Sequence, residues 1–216
     1  MTYSFSTLKF SGVKTQDFLQ GQLTCDIHLL SEHGKYSLAA CCDHRGRMIA
    51  NFWVIQWHDD FLFILPETMC DITKTHLEKY AAFSKVIITK TDCKDAIYHV
   101  LNTAESTWHQ KNIAKGLCIL QPKTSLLFTP QMINLEKLGG VSFDKGCYVG
   151  QEIVARTEHL GTLKRHLQHF TIESTSPINA GDPFIKDTIE IGIIADAIAL
   201  EKNCYEVLAV IEDRFI

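Results

Sequence analysis

Between Tyr36 and Leu65 the chain spells three apolar runs divided by two polar breaks. Tyr36 to Cys42 and Arg47 to Trp57 flank Asp43-His44-Arg45-Gly46, and Asp59-Asp60 precedes Phe61 to Leu65. The Asp and Gly at the first break have the chemistry of a turn. Runs linked this tightly pair as an antiparallel meander, because a parallel neighbour needs a crossover of roughly a dozen residues or more. Pro66 then suits the first turn of a helix, where its missing N–H costs nothing. That helix is expected to run to about Ala82, with Met69, Ile72, Thr73, His76, Leu77 and Tyr80 at helical spacing.

The flanks extend the mixed pattern. Ser4 to Phe10 alternates as a strand, and Gln16 to Gln20 forms a short helix capped by Thr15. Phe83 to Thr89 and Ala96 to Leu101 are expected as strands. Trp108 to Lys115 is expected as a helix, capped by Ser106 or Thr107 and closed by Gly116. After Gly161 the period changes to that of strands at Leu163 to Ile172, Ile189 to Ala199 and Tyr205 to Ile211, with turns at 179–183 and 201–203. The pattern predicts an α+β body over residues 1–162 and a β-rich tail over 163–216.

One stretch stands out chemically: Asp144-Lys145-Gly146-Cys147-Tyr148-Val149-Gly150-Gln151-Glu152. A helix-like run from Gln151 to Glu158 follows, and Glu152 and Arg156 form an i,i+4 pair in the favourable order. A helix start after the thiol and a lysine before it would both favour thiolate at Cys147. The same residues equally suit a small buried cysteine in a glycine-rich turn. Trp108 is open in the same way, as core or as a platform for a ligand.

The run from Lys145 to Glu152 resembles the K-G-C-Y-x-G-Q-E signature of the YgfZ family of folate-binding proteins, relatives of the glycine-cleavage T protein, an aminomethyltransferase. Phe18 to Asp26 is similar to a family element too, although on its own it suits a helix exit with side-chain caps. Lys79 to Val86, Trp108 to Gly116 and Thr129 to Glu136 carry further likenesses, with Ala114 where the family has an acidic residue. Family members are commonly longer, and the shortfall falls between Val86 and Trp108. The resemblance implies ferredoxin-like units followed by a small β-barrel-like tail around a folate site. It implies tetrahydrofolate as the ligand, with Phe5, Asn51, Trp108, Lys145, Gly146, Tyr148, Gly150, Gln151, Glu152 and Arg156 as candidate binding residues. Cys147 is the candidate redox or sulfur-handling thiol. The implied role is support of iron–sulfur enzymes, including those that modify tRNA.

The aminomethyltransferase branch is the alternative. It carries an aspartate near the reacting folate nitrogen where this chain has Ala50 and Asn51. An amide is neither an anion nor a general base at neutral pH, so the substitution argues against transfer. A thiol enzyme built on Cys147 lacks a partner in sequence, since a helix carries His159 away from it. A purely structural scaffold is the remaining reading.

Composition narrows the partners. Net charge is −4, so no global basic field holds nucleic acid, and direct nucleic-acid binding is not expected. No apolar run has the length of a membrane helix, and Met1-Thr2-Tyr3-Ser4 does not begin a signal peptide. The eight cysteines are scattered without C-x-x-C pairs, which suits reduced thiols, a cytoplasmic location and no metal site.

Overall fold

The computed structural model describes residues 4–161, 163–201 and 203–216. The body begins with β1 (Phe5–Ser11) and α1 (Thr15–Gln20), then β2 (Tyr36–Cys42), β3 (Met48–Trp57) and β4 (Asp60–Pro66). It continues through α2 (Glu67–Ser84), β5 (Ile87–Thr91), α3 (Lys94–Leu101) and α4 (Glu105–Ala114). After a long irregular stretch come α5 (Gln151–Leu160), β6 (Arg165–Glu173), β7 (Pro183–Lys186), β8 (Ile189–Glu201) and β9 (Cys204–Glu212).

The meander forms as its pattern requires, and β1 inserts beside it. The first sheet has the order β2-β3-β4-β1-β5, with antiparallel pairing throughout. Its central strands are apolar on both faces because both faces are covered. On one side Leu8, Phe10, Phe52 and Phe63 meet α1 and the Met69–Leu77 stripe of α2. On the other, Phe5, Trp53, Ile55 and Ile64 meet α3, α4 and residues 117–120.

The second sheet is open and antiparallel, in the order β6-β9-β8-β7. Leu208 and Val210 of β9 face the core shared with the first sheet, while Val207, Ala209 and Ile211 face a smaller cluster around Phe184. The two-residue period of the strand sends its two halves to two different cores.

Two expected strands come out otherwise. Residues 83–84 continue α2, Lys85 closes it in the left-handed region, and β5 begins only at Ile87. Residues 96–101 are helical in α3, because Ala96, Ile97 and Leu101 recur at 3.6-residue spacing and cover the sheet, while Tyr98 faces solvent. A short apolar run without alternation fits either element, and the sheet face decides. Helix α4 starts three residues earlier than expected, with Ala104 as its uncapped N-terminal neighbour. Thr162 at the expected boundary, Lys202 in the expected turn, Met1 to Tyr3 and the side chain of Ser106 lie outside what is described. Among the described residues no helix is long and apolar enough to cross a membrane.

Candidate functional site

The glycine-rich loop packs on two other parts of the body. Gly150, in the left-handed region at φ 85°, is the N-terminal neighbour of α5. A Cβ there would meet the Asp43 carbonyl oxygen at 2.5 Å and the Gly46 Cα at 3.1 Å. Gly46, at φ 70°, likewise faces Ile153 of α5. The β2–β3 turn, held by the Asp43 carboxylate accepting from the Arg45 and Arg47 amides, therefore seats directly on the start of α5. Two glycines on facing backbones permit that approach.

The second partner is the segment after α1. Lys145 is buried, and its ammonium donates to the carbonyls of Gln20, Leu23 and Cys25 at 2.7, 2.8 and 2.7 Å. The Val149 amide donates to the Gly21 carbonyl and the Ser142 amide to the Thr24 carbonyl. The Thr24 hydroxyl donates to the Gly140 carbonyl and accepts from the Ala40 amide. The two stretches most alike to family elements are thus stitched to each other. Burial pushes the Lys145 ammonium down to about 8.

These facts correct several expectations. Lys145 spends its three donors on carbonyls, leaving none to meet a folate carboxylate or to fold back on Cys147. Tyr148 is buried, 5.2 Å from the Lys145 ammonium, and burial raises its hydroxyl pKa. Asn51 is also interior: its amide nitrogen donates to the Cys118 carbonyl at 2.8 Å, and its oxygen accepts from the Leu120 amide at 2.9 Å. Both ends of the side chain fasten residues 118–120 to β3. Glu152 and Arg156 pair at 2.6 Å on the exposed face of α5.

Cys147 remains chemically available. It is exposed, whereas Cys25, Cys41, Cys42, Cys70 and Cys118 are buried and Cys93 and Cys204 are half-buried. Burial pushes the Cys25 and Cys41 thiols up to about 12 and raises Cys42, Cys70 and Cys118 as well. Among the described residues, no group of three or more His, Cys, Asp or Glu side chains is placed to hold a metal ion.

Trp108 lies elsewhere, on α4. Its ring meets Phe5 and Trp53 edge-on, each at 5.0 Å. Phe5 is fully packed beneath it. Beside the tryptophans opens a cleft of about 560 Å³, walled by Tyr36, Leu38, Trp53, Trp108, Lys111 and Lys115. Among the described residues no carboxylate lines it. Gly146, Cys147, Gly150, Gln151, Glu152 and Arg156 are not on its walls, so the structure does not gather the candidate residues into one pocket. A neighbouring groove shares Tyr36, Ser37 and Gly139 with the cleft and carries Asp26 and Asp144.

Helix α4 is anchored on its other side by a buried pair. His109 and Asp196 meet at 3.0 Å, each side chain 2% exposed. Asp196 follows a register shift in β8 that turns its carboxylate inward, where it also accepts from the Ile119 amide at 3.4 Å. Residues 118–120 are therefore gripped by Asn51 from the first sheet and Asp196 from the second. Sequence reasoning passed over Tyr36, Trp53, Lys111, Lys115, His109 and Asp196. Only the lysines had a signal: from Trp108, positions +3 and +7 share one helix face.

No protein-family model matches the chain. Curated relatives match most of it. The tRNA-modifying protein YgfZ of Enterobacter sp. (strain 638) is 30% identical over 232 residues, covering 80% of this chain and 71% of the relative. The YgfZ protein of Klebsiella pneumoniae is 30% identical, covering 77% and 68%. That of Sodalis glossinidius is 28% identical over 238 residues, covering 82% and 72%. The chain belongs to the YgfZ family. An alignment of 238 positions exceeds the 216 residues of the chain, so that YgfZ relative carries internal residues that this member lacks. In three dimensions the fold is that of the glycine cleavage system aminomethyltransferase T from Bartonella henselae, with a TM-score of 0.66 and 12% identity over 96% of this chain and 76% of that one.

Proposed function

We propose that this YgfZ-family protein binds tetrahydrofolate in the Trp108 cleft and does not transfer aminomethyl groups. The observation that carries the reading is the cleft itself, whose walls join Tyr36, Trp53 and Trp108 to Lys111 and Lys115, with no carboxylate among the described residues. A flat pterin with an anionic tail suits those walls. Absence of transfer follows from the same walls together with Asn51, whose amide is committed to the 118–120 backbone. Loss of a positioned acid–base group typically costs about 10²–10⁴ in rate.

The role is support of iron–sulfur enzymes, including those that modify tRNA; the name of the YgfZ relatives supports the second half of that statement. Cys147 is the thiol that handles sulfur or redox equivalents, supported by its exposure beside seven more buried cysteines. The ligand cleft and the thiol then act as separate stations on one body. For the fold, the strand order β3-β4-β1-β5, with α1 and α2 on one face, supports a ferredoxin-like unit with β2 added. The strands from Arg165 onward supply a β-rich second unit.

Calorimetric titration with tetrahydrofolate tests binding, and a folate-dependent ammonia-release assay on an aminomethylated lipoyl carrier tests transfer. Saturable heat without ammonia is expected. Ammonia released at enzymatic rates would return the protein to the aminomethyltransferases.

A further inference from the structure

The second sheet bends its two end strands toward each other without joining them. Among the described residues β6 and β7 each pair on one side only, yet Phe170 of β6 and Phe184 of β7 meet at 4.7 Å. A hollow of about 720 Å³ runs along this seam, walled by Phe170, Ile172, Ile178, Phe184, Ile185 and Ile194. Ile185 and Ile189, on either side of the β7–β8 turn, are 58% and 56% exposed. An open strand edge beside apolar surface is a template for a further strand. The backbone of β7 fixes which groups face that side. The Asp182 carbonyl accepts from the Ile194 amide, and Phe184 pairs with Gly192. Backbone groups alternate in direction along a strand, so Pro183 and Ile185 aim theirs away from β8. Side chains alternate too. Phe184 faces the outer cluster, and Asp182 and Lys186 stand two residues to either side of it on the same face. One Asp182 oxygen accepts from the Asn179 amide at 2.9 Å, and the other lies 3.9 Å from the exposed Lys123 ammonium. Among the described residues Lys186 has no carboxylate partner.

We infer that β7 is the meeting strand of two copies of this chain, paired antiparallel about a two-fold axis through Phe184. In that register Phe184 stands opposite the partner's Phe184, and the two rings extend the apolar floor from one hollow to the next. Asp182 stands opposite the partner's Lys186, and Lys186 opposite the partner's Asp182. The Ile185 amide donates to the partner's Pro183 carbonyl, and the symmetric bond runs back. Proline and lysine on an edge strand ordinarily discourage strand addition. Here the pairing uses the proline carbonyl, so its missing N–H removes only the return bond, and the lysine meets a carboxylate. Moving the axis to Ile185 would set Lys186 against the partner's Phe184 and Asp182 against the partner's Thr188, losing both ion pairs. One short strand supplies both halves of each ion pair, which is the mark of an isologous contact and singles out a second copy over a strand of another protein.

Sedimentation equilibrium on the full chain at low ionic strength tests this. The mass should rise with concentration from 24.5 kDa toward twice that value. Ile185→Pro should weaken association about tenfold or more, because it removes both donors between the copies while sparing the bonds to β8. Lys186→Asp should weaken it by a similar factor, since Asp182 then faces a carboxylate. The double variant Asp182→Lys/Lys186→Asp should recover the original association within about threefold, because the exchanged charges match again. Urea unfolding of each variant checks that it folds as the unaltered chain does. A mass that stays at one chain at every concentration would leave the edge to a strand of another protein and overturn the inference. Association that survives Ile185→Pro overturns it as well. So does a folded double variant that associates no better than Lys186→Asp.

Discussion

The glycine-rich loop and the Trp108 cleft divide the work in a way their sequences do not announce. The loop is the most conspicuous stretch of the chain, yet Lys145, Tyr148 and Gly150 tie it to its neighbours. Lys145 holds three carbonyls, Tyr148 is buried, and Gly150 lets α5 sit on a turn. The cleft has no motif of its own. Its walls come from β2, β3, the end of α3 and α4 with the residues after it, and among the described residues its lysines have no carboxylate partner. The loop therefore marks where backbones meet closely, which tolerates few residues, whereas the proposed ligand wall needs only suitable chemistry at a suitable spacing.

The sharpest way to break this division is within the loop. Gly150→Val should cost about 3 kcal/mol or more, since it combines a left-handed backbone with a Cβ driven onto the Asp43 carbonyl. Gly146→Val, where no atom lies within 4 Å of the added Cβ, should stay within about 0.5 kcal/mol. Urea unfolding measures both, and equal losses would remove the packing explanation of the loop.

A second comparison sets the buried lysine against the exposed ones. Lys145→Met should lose about 2–3 kcal/mol, because three carbonyls are left without their donor. Lys111→Met and Lys115→Met should each change stability by less than about 0.5 kcal/mol. A pH series refines the first value. With its folded value near 8 and its ordinary value at 10.5, Lys145 binds its proton more weakly in the folded chain than in the unfolded one. Stability linked to this group should therefore be flat below about pH 8 and rise between pH 8 and 10.5. The same series on Lys145→Met should lack that rise, and its persistence there would assign the linkage to another group.

The smallest structural effect belongs to Cys147. Cys147→Ser should leave unfolding unchanged within about 0.5 kcal/mol. Limiting iodoacetamide at neutral pH should nonetheless label Cys147 first in the unaltered chain, as the exposed thiol among eight. Prior labelling of Cys204 or Cys93 would show that exposure does not rank these thiols.

Much of the sheet was legible because alternation and turn residues act locally. Tyr36 to Cys42 is a strand over the expected residues, and Asp43 to Gly46 turns as its chemistry requires. Residues 96–101 were not legible as a helix, since six residues carry too little period to separate the two elements. Trp108 lines the proposed cleft and Cys147 is exposed, whereas Asn51 and Lys145 mislead. A polar residue in a strand or a loop does not reveal whether a distant backbone will claim it. Cys118 and Leu120 lie far along the chain from Asn51, as do Gln20, Leu23 and Cys25 from Lys145.

The central claim is that the ligand sits in the Trp108 cleft and not on the glycine-rich loop. Amide hydrogen exchange with and without saturating tetrahydrofolate measures this directly. Protection is expected in α4 and residues 115–117 and along Tyr36 to Leu38, with residues 144–156 unchanged. Protection confined to 144–156, or none at saturation, would contradict the account.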